Sequence, residues 1–467
     1  MDQQHDYDVI VVGAGAAGFS AAIEAATAGA KVLLLECGKR VGGSTALSSG
    51  VIYAAGTEIQ KEGGVVDTAD AMFAYSSALS QNRQDASLLR RFCDDSAPLI
   101  QWLQALGGRF DHQRLYQGGA EPPGVRRSHR FEGRGEGLIE LLERHASERS
   151  VEIVCSTRVV GLVKGEAGRV CGVRGEDYEV KAGAVVLACG GFGNNMDLVK
   201  EFYPEVAAAA GDWLWYIGNE FSMGDGLNMA KEVGAAIGNH NRGLIGLTHG
   251  FIRGNELFHP DWLVFVNRSG RRFVREFSPY GLVARSVMDQ PGKTCFAIFD
   301  ETSRKAAAAN KMYAGLMDQS WTADNIAILA DEGRIIRAQS LEELAGRAGI
   351  DGAVLASTVE SYNSDCDAGT DTRYGKSPGE LRPLRTPPFY AAEIRPAILA
   401  GTFTGVRIDR EAQALDSSDR PIPGLYAAGE TAASMGELYI GGGNAIANAL
   451  VFGRVAGRNA ANSTVKH

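Results

Sequence analysis

The sequence predicts an α/β protein that starts with a parallel, doubly wound nucleotide-binding sheet and holds more than one domain. Three observations carry that expectation. Residues 7–12, Tyr-Asp-Val-Ile-Val-Val, are a short β-branched apolar run, which suits a strand buried on both faces. Gly13, Gly15 and Gly18 follow at once as G-x-G-x-x-G. The chain is 467 residues long, beyond the roughly 250–300 at which one core stops growing.

Each early element has a mechanical reason. Gly13 permits a tight turn out of the strand, Gly15 lets the backbone approach a pyrophosphate, and Gly18 lets helix and strand pack closely. Ala16 and Ala17 open a small-residue helix that continues through Ala21, Ala22, Ile23, Ala25 and Ala26 and stops at Gly29. Its N-terminus offers unpaired N–H groups and partial positive charge to phosphates. Lys31-Val-Leu-Leu-Leu35 is a second strand, closed by Glu36 and Cys37. An acid there, about twenty residues past the glycines, accepts hydrogen bonds from a ribose. G-x-G-x-x-G alone is weak; strand, glycines, helix, strand and acid in this order point to a dinucleotide, without deciding which.

Composition narrows the class. The formal net charge of -9 disfavours nucleic acid and anionic membrane as partners. The start is polar and acidic, without a basic then apolar order, and no apolar run reaches the roughly 18 residues of a membrane span. Seven scattered cysteines form no C-x-x-C pair, which suits inert thiols in a reducing cytoplasm. Cys and His show no metal-site spacing.

Further segments choose the nucleotide. Arg40-Val-Gly-Gly-Ser-Thr-Ala-Leu-Ser-Ser-Gly50 follows the second strand. Val185-Val-Leu-Ala-Cys-Gly-Gly-Phe-Gly193 is a later strand ending in glycines. Pro421-Ile-Pro-Gly-Leu-Tyr-Ala-Ala-Gly-Glu430 and Gly441-Gly-Gly-Asn-Ala-Ile446 lie near the C-terminus. Together, in order and over nearly the whole chain, they resemble the FAD-dependent flavoprotein superfamily of fumarate reductase, succinate dehydrogenase and 3-ketosteroid dehydrogenases. The resemblance implies a Rossmann-like FAD-binding domain of the GR2 type with an inserted α+β capping domain.

It also implies which residues hold FAD. The first loop contributes Gly13, Gly15, Ala16, Ala17 and Gly18, with Glu36 and Cys37 at the ribose. The second contributes Gly42, Gly43, Ser44, Thr45, Ser48, Ser49 and Gly50. Val159, Cys189, Gly190, Gly191 and Asn195 come from the middle of the chain. Gly429 and Glu430 are expected at the ribityl and phosphate region. Asn444, Ala445 and Ile446 begin a helix whose N-terminus would face the flavin pyrimidine ring and stabilise the reduced, anionic form. Relatives with covalent flavin use a His near Ser44-Thr45; none lies there, so the FAD is expected to be dissociable.

C-terminal motifs that serve the same flavin must return to the N-terminal domain. The FAD domain is therefore expected to be discontinuous, 1–236 and 395–467, with a capping and substrate domain at 237–394. Within it, Leu263–Phe273 alternates like a strand pair about a turn at Ser269-Gly270, Cys295–Asp300 reads as a strand, and 339–348 and 355–362 read as helices.

The reaction is sought where the branches of the superfamily differ. In the dicarboxylate branch an Arg follows Gly-Arg-Arg-Phe-Val-x-Glu; here Gly270–Glu276 carries that motif and Tyr280 stands at the Arg position. A His expected before Thr-x-x-Gly is absent from Ala400-Gly-Thr-Phe-Thr-Gly405. The 3-ketosteroid dehydrogenases resemble the chain better, with a Tyr matched by Tyr280 and another matched by Tyr439. The 4-dehydrogenases have Ser where Gly441 stands, and the 1-dehydrogenases have Gly where Gly443 stands, so the double-bond position stays open. Tyr116 resembles a third Tyr of the 1-dehydrogenases.

The implied reaction removes a proton from the carbon α to a carbonyl and a hydride from the β carbon, with flavin N5 taking the hydride. Tyr439 O–H and Gly443 N–H would hold the carbonyl oxygen, and Tyr280 as phenolate would take the proton. A phenol titrates near 10, so the rate should rise toward alkaline pH. Bland readings stand beside these. Tyr280, Tyr439 and Tyr116 are equally aromatics that pack. Trp213, Trp215 and Tyr216 line a pocket or fill core. His249 and His259 are expected to be solvated or structural. Arg126, Arg127 and Arg130 form a solvated face or clamp a substrate carboxylate such as that of an oxo-cyclohexane carboxylate. The expected activity is desaturation of a cyclic ketone, a 3-ketosteroid or a smaller cyclohexanone, by an external electron acceptor. The alternatives are an enoate reductase of the fumarate reductase type and a flavoprotein subunit that docks a separate electron carrier.

Overall fold

The computed structural model describes residues 5–464 apart from 112, 114, 117–123, 250–252, 255, 257–258, 310–318 and 437. The apolar run at the start forms the strand Tyr7–Val12. It pairs in parallel with Val32–Leu35 on one side and Glu179–Leu187 on the other, and Val12 is level with Leu35 and Leu187. Glu152–Val154 and Pro421–Ala427 extend the sheet, also in parallel. Gln413–Leu415 closes that edge antiparallel. Because the three central strands end level, Gly13, Glu36 and Ala188 emerge along one carboxyl edge, where open α/β sheets bind ligands.

The chain divides into two compact units. One comprises 1–204, 218–244 and 400–467, and the other 205–217 and 245–399. In the first, the helix Ala16–Thr27 packs along the C-terminal helix Asn444–Asn462. The contact is made by small residues. A Cβ on Gly453 would lie 2.4 Å from the Ala17 carbonyl oxygen, and one on Gly457 would lie 2.0 Å from that of Ala21. Arg454 pairs with Glu24 at 2.7 Å beside this seam.

The second unit is built on the long strand Phe389–Thr402 and its antiparallel neighbour Cys295–Asp300, with Phe299 opposite Tyr390. Val264–Val266 adds to the outer side of Cys295–Asp300. The expected return strand after Ser269-Gly270 is only a single bridge from Arg272 to Val266. The reason is that Arg272 is buried in an ion network. It makes two bonds to Glu276, at 3.0 and 2.9 Å, and two to Asp371, at 3.1 and 2.9 Å. The helices Leu341–Ala348 and Gly352–Ala368 close the core through Leu344, Leu355 and Tyr362. The second runs well past the expected 362, to a left-handed Gly369 cap.

His249 is not solvated. It is 3% exposed, and Trp321 packs on it with ring centroids 4.2 Å apart. Among the described residues, neither it nor His259 has a hydrogen-bond partner on either ring nitrogen. Burial therefore holds their imidazoles well below the ordinary histidine value, at about 3 for His249 and about 4 for His259. An unfolded histidine titrates near 6.5. Below that pH the unfolded chain binds protons that the folded chain excludes, so stability falls as pH falls, by up to about 1.4 kcal/mol per unit for each histidine. The urea midpoint of unfolding is expected to drop steeply between pH 6.5 and 4, and His249→Phe should flatten that slope by about one proton.

Candidate cofactor site

The glycine loop lies along the carboxyl edge of the first unit's sheet. Gly13 has φ +103°, its N–H donates to the Leu35 carbonyl at 2.7 Å, and a Cβ there would lie 2.3 Å from the Ala188 carbonyl oxygen. A Cβ on Gly18 would lie 1.8 Å from the Gly13 carbonyl oxygen. Gly13 and Gly18 are thus required by the protein's own packing. Gly15 is different. It caps the helix Ala16–Thr27 without a side-chain hydrogen bond, and a Cβ there would meet nothing nearer than 3.8 Å. The protein leaves that space to something else, at a helix N-terminus suited to an anion.

The loop opens into a cleft of about 300 Å³ in the first unit. Of the residues expected at FAD, Gly13, Gly15, Ala16, Ala17, Glu36 and Cys37 line it. So do Gly43, Ser44, Thr45, Ser48, Ser49 and Val159. Cys189, Gly190, Gly429, Glu430, Ala445 and Ile446 complete this set, with Tyr439 and Gly443 beside them. Gly18, Gly42, Gly50, Gly191, Asn195 and Asn444 are not in its wall. Each has another position. A Cβ on Gly50 would lie 2.4 Å from Arg134, and one on Gly191 would lie 2.1 Å from Thr402 Oγ1. Asn195 caps the helix Met196–Phe202 and donates to the Met223 carbonyl at 3.1 Å. Asn444 is buried and lines a separate small cavity with Gln84 and Ser434.

Two acids organise the cleft. Glu36 accepts from the N–H groups of Ala14 at 2.8 Å and Gly38 at 2.7 Å, so it ties the first loop to the turn after the second strand. Glu430 accepts from Thr402 N at 2.7 Å and Thr402 Oγ1 at 2.9 Å. Burial pushes its carboxyl above the usual carboxylate range, against these hydrogen bonds. The thiols are neutral: Cys37 donates to Glu36 at 3.4 Å, and burial first, then the Glu36 charge, raises it to about 12.

The far end is a turn before the C-terminal helix. Gly443 has φ +93°, and a Cβ there would lie 2.5 Å from the Val51 carbonyl oxygen. Its N–H donates to Tyr439 Oη at 3.2 Å, and that of Ala445 does so at 3.5 Å. Sequence reasoning placed Tyr439 O–H and Gly443 N–H as separate donors; in this structure they are coupled to each other. Gly441 is a glycine because Tyr53 stands there: a Cβ would lie 2.3 Å from its ring. Tyr116 is brought to the same turn, its hydroxyl 2.5 Å from where a Gly442 Cβ would be.

Tyr280 belongs to the second unit. It is the first residue of the helix Tyr280–Met288, half-buried, and Pro279 precedes it at the cap. Arg127 is neither solvated nor open to a substrate carboxylate. It is 1% exposed and holds Asp67 through two bonds, at 2.7 and 2.8 Å. Sequence reasoning missed Thr157, Arg158, Phe221, Asp225, Phe403, Met435 and Asn448, which also line the cleft. Most have side chains with no nucleotide-binding signature, so only the fold reveals them.

These features define an FAD-binding oxidoreductase, and the comparisons agree. The chain matches the FAD binding domain family model over residues 8–446 and belongs to that family. It is 33% identical to a fumarate reductase (cytochrome) of Shewanella frigidimarina, across 99% of this chain and 78% of that protein. It is 31% identical to a urocanate reductase of Eggerthella lenta, across 98% of this chain and 75% of that one. The solved 3-ketosteroid-Δ4-(5α)-dehydrogenase of Rhodococcus jostii RHA1, in complex with 4-androstene-3,17-dione, superposes with a TM-score of 0.82 at 27% identity, covering 99% and 98% of the two chains. The protein is an FAD-dependent oxidoreductase of the class that works on carbon–carbon single and double bonds. No helix among the described residues is long and apolar enough to cross a membrane.

Two outcomes test the cofactor site. Gly15→Ala should leave the thermal unfolding of the flavin-free chain unchanged yet cut FAD affinity, because its Cβ meets only the space left for the phosphates; Gly18→Ala should destabilise the fold itself. Acid precipitation should leave the flavin in the supernatant, since no histidine stands near Ser44-Thr45 to hold it covalently.

Proposed function

We propose that this protein desaturates a cyclic ketone next to its carbonyl, with a 3-ketosteroid or a smaller cyclohexanone derivative as substrate. The observation that carries the reading is Tyr439. Its oxygen takes backbone N–H bonds from Gly443 and Ala445 at the N-terminus of the helix Asn444–Asn462. A phenol that accepts hydrogen bonds becomes a stronger donor through its own O–H. Such a donor in the cleft wall suits a carbonyl oxygen that gains charge as the α proton leaves. Phe403, which stacks on Tyr439 with 22° between ring planes, and Leu244 and Ile446 add apolar wall suited to a hydrocarbon ring.

Bound in this cleft, FAD would supply the hydride acceptor for the β carbon. Tyr280 is the proposed base for the α proton, and Tyr116 is proposed to buttress the turn at Gly442, beside the carbonyl donor Tyr439. Glu36 is the proposed ribose ligand, and Glu430 the proposed ribityl contact. Of the three arginines weighed for a substrate carboxylate, Arg127 is committed to Asp67 and Arg126 donates to the Gly63 carbonyl. The likeness to the Rhodococcus dehydrogenase supports a ketone. The second reading, an enoate reductase running in the opposite sense, is favoured by the sequence likeness to the Shewanella fumarate reductase. Tyr280 at the Arg position weighs against it. The seven free thiols support a reducing, cytoplasmic setting.

Anaerobic addition of a panel of cyclic ketones should bleach the bound flavin, while fumarate reoxidising the reduced enzyme would favour the second reading. Tyr280→Phe should lower turnover at least ~100-fold, the range of a lost general base, with FAD content unchanged. The wild-type rate should rise from pH 7 toward 10. An undiminished Tyr280→Phe rate, or a flat profile from pH 6 to 10, would remove Tyr280 as the base.

A further inference from the structure

We propose that Phe221 is the platform on which the adenine ring of FAD stacks. Phe221 is 37% exposed, one of few large apolar side chains left in solvent among the described residues, and it lines the cofactor cleft. Its place within that cleft is set by its neighbours. A Cβ on Gly38 would lie 3.2 Å from Phe221 Cε2 and 3.1 Å from Glu36 Oε1. The phenyl edge therefore borders the turn that carries Glu36, the acid at the end of the second strand, where a dinucleotide's adenosine is held. Thr157 and Arg158 line the same end, since Thr157 N–H donates to the Glu36 carbonyl at 2.8 Å.

The turn that carries the ring is held by hydrogen bonds. Asn219 Oδ1 accepts from Phe221 N–H at 2.8 Å, and Met223 N–H returns to the Phe221 carbonyl at 2.8 Å. Asn194 Nδ2 donates to the Glu220 carbonyl at 2.8 Å, and Asn194 N–H to that of Ser222 at 3.0 Å. Asn219 N–H donates to Ser44 Oγ at 3.0 Å, which joins this turn to the second glycine segment of the cleft. A rigid turn therefore presents an apolar face to solvent beside the ribose acid. A purine has a π-face, and base–aromatic stacking is indifferent to which base it is. An aromatic on a turn already ordered before binding loses little backbone entropy when the ring is covered. Phe221 thus adds a hold on the adenosine half of FAD that the G-x-G-x-x-G loop, which addresses the phosphates, does not supply.

The test uses holoenzyme diluted into buffer, with release followed by the recovery of flavin fluorescence, for the protein loaded with FAD and for the same protein reloaded with FMN. FMN carries the phosphate and flavin but no adenosine. Phe221→Ala is expected to release FAD at least tenfold faster than wild type, Phe221→Trp no faster, and FMN at the wild-type rate in both variants. Unchanged FAD release in Phe221→Ala would overturn the proposal. So would an equal acceleration of FMN release, which would mark a disturbed turn and not a lost stack.

Discussion

The cofactor cleft depends on how closely two helices approach. The helix Ala16–Thr27 and the helix Asn444–Asn462 touch through Ala17, Ala21, Gly453 and Gly457, where an added Cβ would collide with backbone oxygen. That contact sets the C-terminal helix so that Ala445 and Ile446, at its start, share a cleft with the Gly13–Gly18 loop. Small residues at a helix seam contribute little apolar area, but they let backbones come within van der Waals contact over several turns. Both helices then present their N-termini, the ends that favour anionic groups, to the same space. The glycine loop at 13–18 and the turn before the C-terminal helix, more than 400 residues apart in the chain, line one cleft for that reason.

In the second unit, the residues that make a sequence motif legible are scaffold. Arg272 and Glu276, from Gly-Arg-Arg-Phe-Val-Arg-Glu, are buried in a network with Asp371 and Lys376. Such a network is costly to break on one side, because an uncompensated charge stays buried. It fixes the segment that leads to the helix starting at Tyr280. The turn at Gly441–Gly443 follows the same logic: Tyr53 excludes any side chain at 441, and the turn is left to present Tyr439.

Much of the first unit was legible early. The strand at 7–12, the three glycines, the small-residue helix and the strand ending at Glu36 are local features with local causes, and they stand where expected. Residues of the segments near 43–49, 189–190 and 429–446, expected at FAD from the family resemblance, line the cleft. Less was visible where partners are distant. Arg127 read as a solvated or substrate-facing charge, since nothing nearby in the chain announced Asp67. His249 read as structural or solvated, and only the packing of Trp321 showed it to be a buried ring. The strand return after Gly270 was overestimated, because alternation does not show that Arg272 points into an ion network.

The sequence by itself therefore determined the dinucleotide-binding start, since strand, glycines and helix rest on short-range backbone requirements that restrict residue type, while FAD and the superfamily followed from the resemblance of several segments, in order along the chain, to known flavoproteins. Tertiary structure alone decided that Tyr439 and Gly443 are hydrogen-bonded to each other, that Gly15 faces open space while Gly18 does not, and that Phe221 stands exposed beside Glu36. Those are facts of which atoms meet across the fold, and a residue's identity does not carry its neighbours when they lie hundreds of positions away.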